Sequence, residues 1–345
     1  YAKVPYMHLP LALGVLSEII LHPLLREEDF GKEKRVILEE LHSTMDSPED
    51  LVSVLSQRLT WGDHPLGREI IGTEQSIEQM RLDDVAAHLL RYYGPNRCVL
   101  SVAGRIDTAK VLRLAEERLG EWAPVAEQAP LPAQPSLPGP RLLVRYKETE
   151  QAQVVLTLPG LARGHPHQYT LGMLHTVLGA GMSSRLFQEI RENRALAYSV
   201  SASGTSYQDA GSVSLYAGVS PLQAIAAVDA LLTEWVRLRD EPVLAEEVLR
   251  AREMVRGSRL MGFEDSGSVA GWFGQQELLS QKVRTLDEVL EIIDGIDASS
   301  IHEVAQQLIC LLQMTLTVVG PFPDDAPFSD CLAAWSGATP ILGYV

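Results

Sequence analysis

Two carboxylates on one predicted helix are the first residues that could do chemistry. Glu33 and Glu40 are seven residues apart in the run Glu-Lys-Arg-Val-Ile-Leu-Glu-Glu. This spacing is close to two helical turns, so the two residues share a helix face with Val36 and Ile37 between them. Carboxylates beside apolar residues are costly unless a cation or a hydrogen-bond donor meets them. The alternative is an ordinary solvated face, because Glu is a common surface residue of helices.

A second candidate run lies in the other half of the chain. It reads Leu-Gly-Ala-Gly-Met-Ser-Ser-Arg-Leu-Phe-Gln-Glu-Ile-Arg over residues 178–191 and Ala-Leu-Ala-Tyr-Ser-Val over residues 195–200. Nucleotide binding by its glycines is not supported, since no third Gly and no Lys-Ser/Thr follow and a helix precedes the run. Among its side chains, Arg191 and Tyr198 can donate hydrogen bonds. Alternatively, Arg191 pairs with a neighbouring glutamate and Tyr198 packs in a strand.

The histidines and cysteines do not form a metal site by their spacing. None of the nine histidines lies four residues from another, so a His-x-x-Glu-His zinc helix is absent from this sequence. The only close pair, His165 and His167, flanks Pro166 in a turn-like loop, which favours a structural role. The three cysteines are scattered along the chain and predict buried or idle thiols rather than disulfides or metal thiolates.

Both runs resemble signatures of the M16 family of zinc metallopeptidases, of the pitrilysin and mitochondrial processing peptidase type. Residues 33–41 and the Asp-Ser-Pro that follows are similar to the downstream half of the family's zinc site. The resemblance implies zinc as the cofactor, Glu40 as a metal ligand, and Glu33 as a catalytic-site residue that supports the ligands from behind. It also implies that Arg191 and Tyr198 bind the peptide substrate by donating to its carbonyl oxygen or to the oxyanion.

The other half of the family's zinc site is not present in the sequence. In the family, an upstream His-x-x-Glu-His helix supplies two imidazole ligands and the general base. This chain opens on Tyr-Ala-Lys-Val-Pro-Tyr without an initiator Met, and that stretch resembles the strand that enters the site. We therefore expect the sequence to lack an N-terminal segment. The full-length protein is expected to be an M16-type metalloendopeptidase, and the chain as given to be inactive alone.

Apolar periodicity predicts an α+β protein. A proline-rich stretch near the middle of the chain cannot form regular helix or sheet hydrogen bonds and is predicted to be a linker at 124-140. This linker separates a predicted domain at 1-123 from one at 141-345. The first domain is predicted to hold four helices and one strand: 9–25, 27–42, 76–92 and 107–122, with the strand at 98–104. The second is predicted to hold a helix, five strands and three later helices, with the helix at 169–190 and strands at 142–146, 153–158, 197–203, 212–218 and 314–320.

The two halves also resemble each other. An ungapped alignment places Ile77 on Ile293 and Gly104 on Gly320, which predicts an internal duplication, although short apolar patterns also recur by chance. Together with the family resemblance, this implies two homologous LuxS/MPP-like domains. Each is expected to be a mostly antiparallel sheet covered by helices, and the two are expected to face each other across a chamber.

Composition narrows the range of partners. The formal charge of −16 argues against nucleic acid and anionic membranes and favours basic peptides. No apolar run reaches the roughly 18 residues of a membrane-spanning helix, so we expect a soluble protein, placed in the cytoplasm by default. The leading hypothesis is a zinc endopeptidase that cleaves unfolded peptides in a chamber, as a homodimer or as a heterodimer with another M16 subunit. The alternatives are a non-catalytic, peptide-binding partner subunit and a scaffold that binds no peptide.

Overall fold

A computed structural model describes residues 1–133, 139–280 and 282–343, and the chain divides into two compact units. Unit 1 comprises Tyr1–Glu39, Thr73–Pro130 and Ser258–Thr285, and unit 2 comprises Glu40–Gly72, Leu131–Gly257 and Leu286–Val345. These units are defined by packing, whereas the limits 1-123 and 141-345 stay a prediction. Residues 134–138 of the predicted linker lie outside the described residues.

The helices follow the predicted periodicity in most places. In the first part of the chain they are α1 (Leu9–Leu21), α2 (Glu27–Asp46), α3 (Pro48–Trp61), α4 (Glu74–Gln79), α5 (Leu82–Tyr92) and α6 (Thr108–Leu119). Later helices are α7 (Gln168–Gly179), α8 (Ala224–Asp240), α9 (Ala245–Gly262), α10 (Ser266–Leu279), α11 (Leu286–Asp294), α12 (Ala298–Leu308) and α13 (Ala326–Ser336). Several begin at a side-chain cap: Ser47, Asp107, Asp265 and Asp297 each accept from a backbone amide of the first turn.

Unit 2 is built on one open sheet of six strands. In chain order they are β1 (Arg141–Tyr146), β2 (Ala152–Pro159), β3 (Ala197–Ser206), β4 (Gly211–Val219), β5 (Thr315–Gly320) and β6 (Ile341–Leu342). The spatial order is β3-β4-β2-β5-β1-β6. The pairs β3–β4, β4–β2 and β2–β5 are antiparallel, and β5–β1 and β1–β6 are parallel. β3 therefore forms one edge of the sheet.

The sheet is covered on both faces, which explains why β2 is apolar along most of its length. One face packs against α3, where Leu55 and Leu59 join Val155 and Val319 in one cluster. The other face carries the alternate residues of the same strands and packs against α8. Trp235 is 1% exposed there. Burial of each such side chain contributes about 1.5–3 kcal/mol, so this double layer is the main source of stability in unit 2.

The α+β class is confirmed, but the sheet predicted for the first half is not found. Residues 98–104 are irregular, and no strand lies in residues 1–133. An extended segment becomes a strand only when a neighbouring strand accepts and donates its backbone hydrogen bonds. Within residues 1–133 no such neighbour is described, and Val99 and Leu100 are exposed rather than packed.

The predicted helix 9–25 ends earlier, at Leu21, and two other predicted helices are interrupted. The predicted helix 76–92 is divided into α4 and α5, because Met80 and Arg81 have extended backbone with ψ of 134° and 154°. The predicted helix 169–190 is also wrong, since α7 stops at Gly179 and helical backbone resumes only at Arg185. The three predicted later helices are in fact α8 to α12. None of the described helices combines the length and apolar character needed to span a membrane.

Candidate functional site

The predicted substrate-binding residues lie on either side of an irregular connection that leads into the edge strand β3. Residues Phe187–Asn193 form a π-helix, which we call the π segment. Its Ile190 is fully buried and anchors it to unit 2. The connection that follows is tight: the Leu196 amide donates to the Ile190 carbonyl at 2.8 Å, and Ala195 has φ of +48°. A non-glycine residue in the left-handed region is strained, and π segments are frequent at functional sites.

Tyr198 lies at an irregularity of the sheet. In the β3–β4 ladder, Ala197 pairs with Val219 and Ser199 pairs with Gly218, so Tyr198 is the extra residue of a β-bulge. A bulge changes the direction in which a side chain leaves the strand. The Tyr198 side chain is accordingly 73% exposed, although it belongs to a strand of the central sheet. The alternative that Tyr198 simply packs in a strand is therefore not what the structure shows.

The structure brings Arg191 and Tyr198 together. The Arg191 guanidinium carbon lies 5.3 Å from the centre of the Tyr198 ring and 4.8 Å from the centre of the Phe187 ring. The guanidinium is thus held against two aromatic rings by cation–π contacts. Arg191 also has an ion pair with Glu192, but at 3.9 Å and between side chains 40% and 53% exposed it is weak. The Arg191–Tyr198 pair is therefore exposed to solvent and is held in place by the ring contacts.

The two glycines before the π segment have structural roles. At Gly179, a Cβ atom would lie 2.2 Å from the Ala202 amide nitrogen, so only glycine allows α7 to approach β3 this closely. Gly181 has φ of +77°, which glycine adopts without strain. Its carbonyl accepts a hydrogen bond from the Ser184 hydroxyl at 2.8 Å. These glycines set the turn that starts the helical backbone carrying Arg191.

Several charged residues lie within or near the π segment, and one of them, Glu234, is fully buried. They are Arg185, Glu189, Glu234, Arg237 and Glu247. Arg185 donates to both carboxylate oxygens of Glu247 at 2.7 and 2.9 Å, with side chains only 10% and 13% exposed. Glu247 also accepts the Leu244 amide at 2.8 Å. Glu234 is 1% exposed and accepts from Arg237 at 2.9 Å. Bidentate geometry makes the Arg185 pair the stronger of the two.

The two buried carboxylates have opposite pKa shifts. Burial raises the pKa of Glu247, but hydrogen bonds from Arg185 and from the Leu244 amide outweigh burial and hold the pKa below its usual range. Burial also raises the pKa of Glu234, and here the positive charge and hydrogen bond of Arg237 do not compensate fully, so the pKa stays raised. Ionised Glu247 is therefore stabilised in the folded protein, and ionised Glu234 is not.

The predicted metal-site residues lie on α2. Glu33 and Glu40 are both exposed on this helix, and their Cα atoms are about 10 Å apart along its axis at 1.5 Å per residue. Among the described residues, no three His, Cys, Asp or Glu side chains come together in a group that could hold a metal ion. One carboxylate does not hold catalytic zinc, which typically has three protein ligands. The described residues thus do not fit zinc by themselves.

Sequence reasoning missed several residues that shape the site. Phe187 was not recognised as an aromatic platform, and Ala195 and the bulge at Tyr198 left no pattern that periodicity detects. Glu234 did leave a signal. It falls at a helical spacing from Leu231 and Leu238, both fully buried, so an acidic residue interrupts an otherwise apolar stripe of α8.

Comparisons with known proteins agree with the fold and the signatures. The chain matches the family described as Peptidase M16 inactive domain over residues 79–255, and the family described as Insulinase (Peptidase family M16) over residues 1–74. It is 34% identical over 308 residues to the uncharacterized zinc protease YmxG of Bacillus subtilis, covering 89% of this chain and 75% of that protein. It is 32% identical to an uncharacterized zinc protease of Streptomyces coelicolor, covering 94% and 72%.

Solved structures support the same assignment at the level of the fold. A protease from Helicobacter pylori superposes with a TM-score of 0.85 at 23% identity, covering 91% of this chain and 78% of that one. A peptidase M16 inactive domain from Pseudomonas fluorescens gives 0.80 at 16% identity, covering 90% and 74%. With these matches added to the two signatures, the chain belongs to the M16 peptidase family, in which its similar relatives are named zinc proteases.

Proposed function

We propose that the full-length protein is a zinc-dependent endopeptidase for unfolded peptides and that Arg191 and Tyr198 bind the peptide backbone. The observation that carries the peptide-binding role is the exposed Arg191–Tyr198 pair itself, in which the centre of the Tyr198 ring lies 5.3 Å from the guanidinium carbon. A π segment, a strained residue and a β-bulge all occur within the twelve residues 187–198. Such irregularities are costly, and they persist where function needs a particular side-chain direction.

The chemistry of the pair suits a peptide backbone. The guanidinium of Arg191 lies close to the Phe187 and Tyr198 rings, and its five N–H groups are hydrogen-bond donors. The Tyr198 hydroxyl is a second donor on an exposed ring. Two donors of this kind stabilise a peptide carbonyl, and more strongly the oxyanion that develops from it during hydrolysis. An amide substrate in extended conformation meets this requirement.

The position of β3 supports an extended substrate. β3 is an edge strand that pairs with β4 on one side, so its other side presents backbone donors and acceptors next to Tyr198. An unfolded peptide can add to such an edge as a further strand. The net charge of −16 favours basic peptides over acidic ones. A closed chamber formed by a homodimer, or by a heterodimer with another M16 subunit, belongs to the same proposal.

Zinc enters the proposal through the relatives, which are named zinc proteases. In this proposal, Glu40 is a metal ligand, and Glu33 orients the ligands without binding the metal itself. Bound zinc would acidify a water molecule for attack on the peptide carbonyl. The first experiment is elemental analysis of the full-length protein together with cleavage of a quenched basic peptide, with and without chelator. We expect about one zinc per chain and chelator-sensitive cleavage.

Variants assign the two roles separately. Glu40→Gln should remove zinc and cleavage, whereas Glu39→Gln, an exposed neighbour on α2, should keep both. Arg191→Ala should keep zinc and weaken peptide binding, with exposed Arg194→Ala as its control. A metal-free, inert protein that still binds peptide through Arg191 would instead be the non-catalytic partner subunit. A protein that binds no peptide at all would refute both roles.

A further inference from the structure

Glu234 is a buried carboxylate among apolar side chains, a position in which a charged group is costly. Its side chain lies in the apolar stripe of α8 and is 2% exposed. One oxygen accepts from Arg237, and the other, Oε2, has no hydrogen-bond partner among the described residues. An ionised carboxylate in such a position is missing part of the hydrogen bonding that water would supply.

Stability does not account for this carboxylate. Burial raises the pKa of Glu234 despite the opposing effect of Arg237, so the charged form is less favourable in the folded protein than in the unfolded chain. Ionised Glu234 therefore lowers the free energy of unfolding at neutral pH. Groups that break the local rules of a fold at such a cost are expected near functional sites.

The surroundings of Glu234 connect it to Arg191. The helix α8 packs against the π segment. The pKa of Glu234 responds to Glu189 within that segment, which raises it, and to Arg185 just before the segment, which lowers it. The Arg185 Nη1 atom is also buried without a hydrogen-bond partner among the described residues. The helix that carries the buried carboxylate thus packs against the segment that bears Arg191, and the charges of Glu189 and Arg185 act on that carboxylate in opposite directions.

We propose that Glu234 is a positioning residue for the Arg191–Tyr198 pair. Its charge attracts Arg185 and repels Glu189, which fixes the rotation of the π segment about its axis. Residues two apart on a helix point to nearly opposite sides, so the rotation that moves Glu189 inward turns Arg191 away from Tyr198. The inference rests on the peptide-binding role proposed above for that pair.

The test uses Glu234→Gln, which keeps the shape of the side chain and removes its charge. Binding of a fluorescein-labelled, unstructured peptide rich in lysine and arginine is measured by fluorescence anisotropy on the full-length protein, with chelator present to prevent cleavage. We expect roughly tenfold weaker binding, the size of one lost charge-assisted contact, with an unchanged or higher Tm. The control is Glu241→Gln, because Glu241 also pairs with Arg237, at 3.5 Å, but is 59% exposed.

The same two variants are then made in an Arg191→Ala background. If Glu234 acts through Arg191, Glu234→Gln has no further effect on binding there. If Arg191→Ala alone leaves binding unchanged, the proposed peptide-binding role fails. If Arg191→Ala weakens binding but Glu234→Gln does not, only the positioning role fails. A Glu234→Gln variant that loses Tm and binding together, equally in both backgrounds, shows a merely structural residue and also overturns the inference.

Discussion

Breaking the bidentate pair between Arg185 and Glu247 should strongly destabilise unit 2, and Glu247→Gln tests this. The change preserves size but leaves the Arg185 guanidinium facing a neutral amide in a site where both side chains are at most 13% exposed. Removing one partner of a buried ion pair typically costs about 3–5 kcal/mol, because the remaining charge is buried without compensation. A glutamine oxygen can still accept one of the two hydrogen bonds, so we expect the low end, about 3 kcal/mol.

The assay is thermal unfolding followed by calorimetry. For a unit of roughly 200 residues, 1 kcal/mol shifts Tm by about 2–4 °C, so the expected loss is about 6–12 °C. The neighbouring residue on α9 supplies a matched control. Glu246 pairs with Arg250 at 3.3 Å, but the two side chains are 80% and 50% exposed. Glu246→Gln should therefore change Tm by no more than about 2 °C.

Two further measurements make the prediction sharp. Because the folded-state pKa of Glu247 is lowered, its stabilisation is present above the unfolded pKa of about 4.3 and is lost as pH falls through the folded value. The Tm difference between wild type and Glu247→Gln should therefore shrink below about pH 4. The double variant Arg185→Leu with Glu247→Leu should recover most of the lost stability, since no unpaired charge remains. Equal Tm values for Glu247→Gln and Glu246→Gln would falsify the reasoning.

Packing between α7 and β3 gives the remaining predictions. Gly204→Ala would place a Cβ atom 2.1 Å from the His175 ring, so it should destabilise by about 1–3 kcal/mol, while Gly172→Ala, with open space around it on α7, should stabilise by about 0.5–1 kcal/mol. Chemical denaturation of both variants checks these opposite signs, and similar effects would contradict the close contact. Burial lowers the pKa of His175 to about 4, so the folded protein holds this imidazole neutral while the unfolded chain protonates it below about pH 6.5. The free energy of unfolding should therefore fall by roughly 3 kcal/mol at most as the pH drops from 6.5 toward 4. Stability measured from pH 7 to pH 4 should therefore fall more steeply for wild type than for His175→Gln, and parallel curves would contradict the lowered pKa of His175.

The central strands could be predicted from the sequence because their side chains are dictated by burial. β2 and β5 are covered on both faces, and a doubly covered strand is apolar almost throughout, whichever partners it has. The segment 98–104 is equally apolar and was predicted as a strand for the same reason. A sequence pattern reports that a segment suits a sheet, but the strand forms only where neighbouring backbone completes its hydrogen bonds, and that information lies elsewhere in the chain.

The sequence predicts residues for the candidate site but not their geometry, and the roles of those residues stay a prediction. The M16 signature identified Arg191 and Tyr198, but the seven-residue spacing is the same in a regular helix followed by a strand and in the observed arrangement. The π segment, the φ of Ala195 and the bulge at Tyr198 each change backbone direction without requiring a distinctive side chain. These backbone features depend on the residues that pack beside them. Glu234 shows the same limit: its apolar neighbours in the sequence indicate that it is buried, but not which residues it contacts.

The proposed peptide-binding pair, Arg191 and Tyr198, and the proposed metal ligand Glu40 lie on different elements of the fold. The aromatic rings that contact Arg191 lie on the π segment and on β3, whereas the proposed metal ligand Glu40 lies on α2. None of these contacts involves α2, so we expect the pair to keep its conformation whether or not zinc is bound. On the proposed roles, a subunit without metal ligands is expected still to bind peptides through this pair. The metal measurement therefore decides which of the two this protein is, and the Arg191 variants decide whether it holds peptides.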